Sequence, residues 1–200
     1  MSERIQDILE FWFGDLDEHG YASPDQRKRW WVKSDAFDEA IKAQFLDDYE
    51  AIVEGERQVW RNTAHGALAY IIVLDQFSRN MFRGTPKMFE ADGLARDVCY
   101  EGLDSGFDVE LGFDERAFFY LPLEHSESMV DQMRCLDMFE GLLEDSPEHL
   151  QDDARNYLDF ANRHRAIIER FGRYPHRNET LGRASTAEEQ EFLKTPGSSF

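Results

Sequence analysis

The chain has 200 residues, a net charge of −19, and 42% hydrophobic residues that include 4 Trp, 7 Tyr and 16 Phe. This length and apolar content predict a single folded domain over residues 1–200 and exclude a disordered chain. The excess of acids excludes general nucleic-acid binding, which needs a basic surface, and the longest apolar run is far shorter than the roughly 20 residues of a membrane span.

Two amphipathic helices are predicted in the first quarter of the chain. Apolar residues recur at spacings of three and four through residues 5–13, and Gly14 ends that helix. Ser34 has the side chain of an N-cap and precedes a second apolar stripe, which ends at Gly55.

The third predicted helix covers residues 63–82. Its central run, residues 68–74, is apolar all round, which is typical of a helix buried on every side. We therefore expect this helix to be the most buried element, with Ile71, Ile72 and Leu74 inaccessible to solvent.

Capping signals predict the remaining helices. Threonine or serine followed by proline marks a helix start twice, and a threonine followed three residues later by glutamate has capping-box spacing. Helices are thus expected from Pro86 to about Ser105, from Asp114 onward, from Ser146 to Arg170, and from Thr186 to about Lys194. No segment alternates with period two, so the fold class is all-α, with about eight helices. Their spacing predicts a stack of antiparallel helical hairpins.

Five hydrogen-bonding side chains follow directly after the apolar run. They lie on or beside one face of the third helix, and they are Asp75, Gln76, Arg79, Asn80 and Arg83. Buried polar groups are costly unless partnered. These side chains therefore either line a ligand cavity or form a structural network around an Asp75–Arg79 ion pair.

A second set of polar residues follows Pro122, where we expect the helix to kink or restart. The set comprises Glu124, His125 and Glu127. A histidine beside carboxylates suits a general base, a metal ligand or a hydrogen-bonding group. We expect Asp75 or Arg79 to lie within contact distance of this segment.

The third candidate is an arginine-rich segment. Residues 155–183 contain seven arginines and three acids, a net charge of +4 in an acidic chain. Gly172 is expected to end a helix, and the following loop carries Arg173, His176, Arg177 and Asn178. Arginine forks bind carboxylate and phosphate oxygens, so this loop is the best anion-site candidate, and we expect it to fold toward residues 75–83. The alternative is that these arginines pair with the protein's own carboxylates.

Several signatures are absent from the sequence. The common nucleotide-binding, serine-hydrolase and zinc-protease motifs do not occur, so no cofactor and no metal are predicted. A minor alternative assembles a metal site from distant residues, namely Asp75, Glu124, His125, Glu127, His164 and His176. The two cysteines and the four tryptophans are expected in the core. No secretory signal is visible, which predicts a cytoplasmic protein.

Longer motifs resemble a known family. The strings ILEFWFG (8–14), LDQFSRNMFRGTP (74–86), ERAFFYLPLEHSE (115–127), HRAIIERFGRYPHRNETLGR (164–183) and STAEEQEFL (185–193) resemble a bacterial family known only as domain-of-unknown-function family 924. The resemblance runs from about residue 7 to the C-terminus. It implies a tetratricopeptide-like all-helical fold and supplies no reaction, ligand or catalytic residue.

Three functional hypotheses remain open. The first is a binding module whose polar groove takes an anionic small molecule or an acidic peptide or protein partner. The second is a small-molecule enzyme in which His125 is the general base, Glu124 or Asp75 orients it, and Arg173 or Arg177 holds an anionic substrate. In the third, the three motifs are purely structural. None involves nucleic acid or a membrane.

Overall fold

The structure is a computed structural model that describes residues 2–199. These residues form nine helices and no β-strand, and an isolated antiparallel bridge joins Leu16 and Ala22. The all-α prediction is therefore confirmed. Two compact units are distinguished: unit 1 covers residues up to Arg83 together with Lys87–Pro122, and unit 2 covers Gly84–Pro86 and the residues from Leu123 on. A single domain and a stack of hairpins remain predictions.

Helices α1 to α6 account for unit 1, with the last running two residues past its boundary. Their bounds are α1 (Glu3–Phe13), α2 (Pro24–Trp31), α3 (Asp35–Val53), α4 (Ala64–Ile71, Ile72–Phe77 and Ser78–Met81), α5 (Asp92–Asp104) and α6 (Phe113–Glu124). Helix α4 packs against α1, α3 and α5, so it forms the centre of this unit.

Local capping explains where the first helices begin and end. The Ser34 hydroxyl accepts a hydrogen bond from the Phe37 N–H at 3.3 Å, as expected for the N-cap of α3. Gly14 ends α1 with a φ of 65°, a conformation that side chains with a Cβ rarely adopt. Both predicted boundaries are confirmed.

The centre of α4 is fully buried, as the sequence predicted. Ile71, Ile72 and Leu74 are 0% exposed. The middle segment, Ile72–Phe77, is a π-helix, which the sequence did not indicate. A π segment adds one residue per turn, and apolar periodicity cannot reveal this where every neighbouring residue is buried.

Three helices of unit 1 differ from the predictions. Helix α2 was not predicted, because its sequence PDQRKRWW has no apolar stripe, although Ser23 caps it and Pro24 opens it. The helix expected from Pro86 begins instead at Asp92, after the 3₁₀ turn Pro86–Phe89. Helix α6 continues through Pro122 without restarting and ends at Glu124.

Unit 2 contains helices α7 (Met129–Asp145), α8 (Gln151–Phe171) and α9 (Ala187–Phe192). Helix α7 was not predicted separately, and α8 begins after the 3₁₀ turn Glu148–Leu150 rather than at Ser146. Helices α7 and α8 pack along each other.

Two predicted caps in unit 2 are present. Gly172 ends α8 in the left-handed conformation, with a φ of 68°. Thr186 and Glu189 form the capping box of α9, each bonding to the other's backbone N–H. The core beside them is built on Ile167, Ile168 and Tyr174.

Burial of the cysteines and tryptophans follows the predictions with one exception. Cys99 and Cys135 are free and buried. Trp12 and Trp60 are also buried, but Trp31 is 61% exposed, so its placement in the core was wrong. Among the described residues, no helix has both the length and the apolarity to cross a membrane.

Candidate functional site

The first polar cluster lies at the C-terminal half of α4, in unit 1. The Asp75 side chain is fully buried and accepts a hydrogen bond from Gln76 Nε2 at 2.6 Å. Arg79 Nη1 lies 3.2 Å from Asp75 Oδ1, and its two terminal nitrogens bind both carboxylate oxygens of Asp92 at 3.0 and 3.1 Å. The Asp75–Arg79 pair of the structural alternative is thus present.

The remaining two side chains of this cluster bind Asp38 of α3. Asn80 Nδ2 donates to Asp38 Oδ1 at 2.7 Å, and the Arg83 guanidinium donates to both carboxylate oxygens at 2.7 and 2.9 Å. Burial opposes ionisation of Asp38, but the hydrogen bonds from Arg83 and Asn80 outweigh it and lower the pKa of this carboxyl group. Asp38 and Asp92 are partners that sequence analysis missed.

The second cluster lies in unit 2 and is organised by Tyr174, whose side chain is fully buried. Its hydroxyl donates to the Glu124 carbonyl and accepts from Gln132 Nε2 at 2.9 Å. Gln132 also lies 2.6 Å from the Glu124 carbonyl and 2.8 Å from that of Ser126. These bonds fix the end of α6 against the loop that follows α8.

Glu127 joins the same loop to the following turn. Its carboxylate accepts the Tyr174 N–H at 2.8 Å and both terminal nitrogens of Arg183 at 2.7 and 2.9 Å. Burial alone would raise the pKa of Glu127, but these bonds lower it below its ordinary value. Glu127 therefore holds the loop in place, a role that sequence analysis did not assign to it.

Arg173 and Asn178 contact the start of α9. Arg173 binds both carboxylate oxygens of Glu189 at 2.6 and 2.8 Å, and this pair is the main cause that lowers the pKa of Glu189 to about 2. Asn178 donates to Ser185 Oγ at 3.0 Å. Arg173 thus pairs with an internal carboxylate, as the structural alternative expected of the arginines.

Two histidines lie against the Tyr174 ring, and a third lies near one of them. The rings of His164 and His176 lie 5.7 and 5.5 Å from the tyrosine ring, and His125 lies 6.3 Å from His164. Glu124 Oε1 is 3.5 Å from His164 Nδ1, which also lies 2.9 Å from the Phe160 carbonyl. Because a carbonyl only accepts, Nδ1 carries the proton in that bond.

Both innermost histidines are held neutral at pH 7. Burial is the main cause, and it lowers the pKa of His164 to about 3 and that of His176 to about 4. The charge of Arg177 lowers both pKa values further. Arg177 is itself buried, and its guanidinium carbon lies 4.5 Å above the centre of the Tyr174 ring.

We call the group around this ring the Tyr174 cluster. It comprises Glu124, His125, Gln132, His164, Tyr174, His176 and Arg177. The structure thus brings together five of the residues named from the sequence, four as site candidates and His164 as a possible metal ligand. Contact of the 75–83 face with the 124–127 segment, or with the loop after α8, stays a prediction.

Tyr174 and Gln132 were not identified as binding residues from the sequence, and His164 was considered only as a metal ligand. One signal was present for His164, because it continues the buried stripe of α8 at Tyr157, Ala161 and Ile168, with spacings of four, three and four. In residues 2–199 no three His, Cys, Asp or Glu side chains are arranged to hold a metal ion.

Comparison with known proteins gives a family but no activity. Residues 8–197 match the family described as bacterial protein of unknown function (DUF924). A protein of unknown function from Agrobacterium tumefaciens, ATU0120, has a solved structure that is similar to this chain. It is 38% identical, with a TM-score of 0.80 over 96% of this chain and 97% of that one. No curated protein matches the sequence significantly.

Proposed function

The chain belongs to the bacterial DUF924 family, and for this member we propose a binding function: unit 2 takes a small anion, a carboxylate or a phosphate ester, at the Tyr174 cluster. The observation that carries the proposal is the placement of a buried arginine, Arg177, and two histidines around the Tyr174 ring, with a third histidine beside His164. Guanidinium and imidazole N–H groups are the donors that bind carboxylate and phosphate oxygens.

Electrostatics around His176 support an anionic ligand. Arg177, His125 and Arg183 all act to lower the pKa of His176, and Glu127 acts against them. The charge of Glu127 is already shared with Arg183 through two hydrogen bonds. A bound anion would therefore raise the pKa of His176, and binding would be accompanied by proton uptake.

Two orphaned acceptors indicate what else the ligand carries. Gln132 Oε1 and Asn178 Oδ1 are buried, and neither has a hydrogen-bond partner among the described residues. Buried polar atoms are usually satisfied, and a hydroxyl group on the ligand would supply the missing donor. A hydroxy acid or a sugar phosphate fits this requirement better than a simple inorganic anion.

Binding is favoured over catalysis by the pKa values of the histidines. A general base works best when its pKa is near the working pH. The pKa values of His164 and His176 are about 3 and 4, so at pH 7 these rings act as neutral hydrogen-bonding groups. The enzyme hypothesis therefore depends on His125, with Glu124 close to His164 at 3.5 Å.

The test is a thermal-shift screen of the purified protein against hydroxy acids, dicarboxylates and phosphorylated sugars, followed by calorimetry on each anion that stabilises it. A ligand at about 100 times its Kd is expected to raise the melting temperature by about 5 °C or more. This shift should disappear in Arg177→Gln and weaken in His176→Gln. It should persist in Arg155→Gln, which removes an exposed arginine of α8.

Two results would contradict the proposal. The first is that no anion of these classes stabilises the unmodified protein. The second is an unchanged shift in both Arg177→Gln and His176→Gln, each confirmed as folded by its helical circular-dichroism spectrum. Because Arg173 pairs with Glu189, an Arg173→Ala variant tests the loop's stability separately from ligand binding.

A further inference from the structure

A groove lies between α2 and the start of α3, in unit 1. It encloses about 410 Å³ and lies far along the chain from the Tyr174 cluster. Its α2 wall carries Asp25, Lys28 and Arg29 on one helical face, and Val32 follows directly after the helix. The residues that matter to the argument are Lys28, Arg29, Val32, Ala36, Phe37 and Ala40.

The floor of the groove is apolar and its neighbours are exposed. Ala36 and Ala40 present only methyl groups from α3, and Phe37 beside them is 8% exposed, with the Arg29 guanidinium over its ring. Val32 is 52% exposed and Trp31, the next residue along the chain, is 61% exposed. Adjacent exposed apolar side chains beside a concave floor are typical of a protein-binding surface, and tryptophan is enriched at the strongest contacts.

The rim of the groove is basic, in contrast to the rest of the chain. Residues 24–33 contain Arg27, Lys28, Arg29, Lys33 and one acid, for a net charge of +3, whereas the whole chain carries −19. Arg27 binds the buried Asp114, and Lys33 lies 3.6 Å from Asp35. The one acid, Asp25, lines the groove together with Lys28 and Arg29, so the lining itself carries a net charge of +1.

The two cations that line the groove are free to bind carboxylates. Lys28 forms no ion pair within residues 2–199. Arg29 donates to Gln26 Oε1 at 2.9 Å and lies 4.4 Å over the Phe37 ring, again without a carboxylate partner among the described residues. In a chain with 41 acids and 22 bases, these two groups still have the capacity to bind external carboxylates.

We propose that this groove docks an acidic segment of a partner protein, with one bulky apolar side chain on the floor at Ala36 and Ala40 and carboxylates on Lys28 and Arg29. Charge complementarity selects this occupant. Screening limits the reach of charges to about 8 Å at physiological salt, so a short peptide meets mainly the basic rim. An extended anionic membrane, or a second copy of the chain, would also meet the acidic remainder.

The test uses acetylated, amidated hexapeptides of the form Asp-Glu-Φ-Φ-Glu-Asp, where Φ-Φ is every pairing of Leu, Phe and Trp. Calorimetry measures binding to the full chain, and tryptophan emission reports contact near Trp31 for the peptides without Trp. We expect at least one peptide to bind with a Kd below about 1 mM. Lys28→Glu should weaken it roughly tenfold, because an attraction becomes a repulsion.

Two further variants separate charge from shape. Ala40→Leu fills the groove without changing charge and should also abolish binding. Lys42→Glu makes the same charge change on α3 outside the groove lining, and it should leave the Kd within about twofold.

Several outcomes would overturn the proposal. The first is that no peptide of the set binds. The second is that peptides in which Lys replaces each acid bind equally well. The third is that the Kd is unchanged in both Lys28→Glu and Ala40→Leu. Binding to vesicles containing phosphatidylserine in place of the peptides would identify a membrane surface. A dimer that Lys28→Glu dissociates would identify a second copy.

Discussion

Acidification from pH 7 to pH 5 should destabilise the protein through two buried histidines. The pKa values of His164 and His176 are lowered from 6.5 to about 3 and about 4, mainly by burial. At a pH between these lowered pKa values and 6.5, the two histidines bind protons in the unfolded chain and not in the folded chain. The free energy of unfolding therefore falls as the pH falls through this window.

The magnitude follows from the same pKa values. For a group with a pKa of 6.5 when unfolded and below 4 when folded, the loss between pH 7 and pH 5 is about 2 kcal/mol. This value applies to His164, which is 4% exposed. His176 is less buried, so its contribution is about 1 kcal/mol. The lowered pKa values of Glu127 and Glu189 act in the same direction, but only below about pH 4.5.

Urea unfolding followed by circular dichroism at several pH values measures this loss. Protonation also relieves repulsion in a chain of charge −19, so the pH dependence of the unmodified protein contains a second, stabilising effect. A His164→Gln variant shares that effect, and its loss of stability should be smaller by about 2 kcal/mol. His149→Gln, at an exposed position, is the matched control. Equal pH dependence in the unmodified and His164→Gln proteins would refute the reasoning.

Three further substitutions test the packing by urea unfolding. Ile72→Ala leaves a cavity at a fully buried position of α4 and should lower the free energy of unfolding by about 2–5 kcal/mol. A loss below about 1 kcal/mol would show that Ile72 is not at the centre of the core. Gly66→Ala should cost about 2–3 kcal/mol, because its Cβ would lie 2.1 Å from the Trp60 carbonyl oxygen, and an unchanged stability would show that this backbone moves freely. Glu127→Gln removes the carboxylate that Arg183 binds and should lower the free energy of unfolding by about 1–2 kcal/mol. An unchanged free energy of unfolding would show that other contacts hold the turn.

The presence of a helix could be predicted from the sequence where a capping residue is followed by a stripe of buried apolar residues. The capping box at Thr186 and the serine cap at Ser34 each satisfy backbone N–H groups within three residues, so the sequence alone contains the signal. Helix α2 lacked an apolar stripe. Its tryptophans are instead used unequally, since Trp30 packs 4.7 Å from the buried Phe118 ring while Trp31 remains mostly exposed. Contacts distant in sequence decide this difference.

The candidate site was predictable in its residue types and not in its pairings. The segment around His125 was singled out because a histidine stands beside carboxylates after Pro122, and the segment around Arg177 because of its excess of arginines. Which arginine pairs with which carboxylate depends on the turn after α8, which directs Arg173 to Glu189 and Arg183 to Glu127. A hydrogen bond over 47 residues, from the Tyr174 N–H to Glu127, has no local signature.

The two polar clusters differ in how their charge can respond to a ligand, and this difference favours unit 2 as the anion site. Around α4, two arginines lie among three aspartates, and the hydrogen bonds from Arg83 and Asn80 lower the pKa of Asp38 despite its burial. An added anion would have to compete with these carboxylates. In the Tyr174 cluster, His164 and His176 are neutral and can each gain a proton when an anion arrives. Arg83→Gln should therefore leave the anion-induced rise in melting temperature intact. If that rise were lost in the variant, the anion site would lie in unit 1 instead.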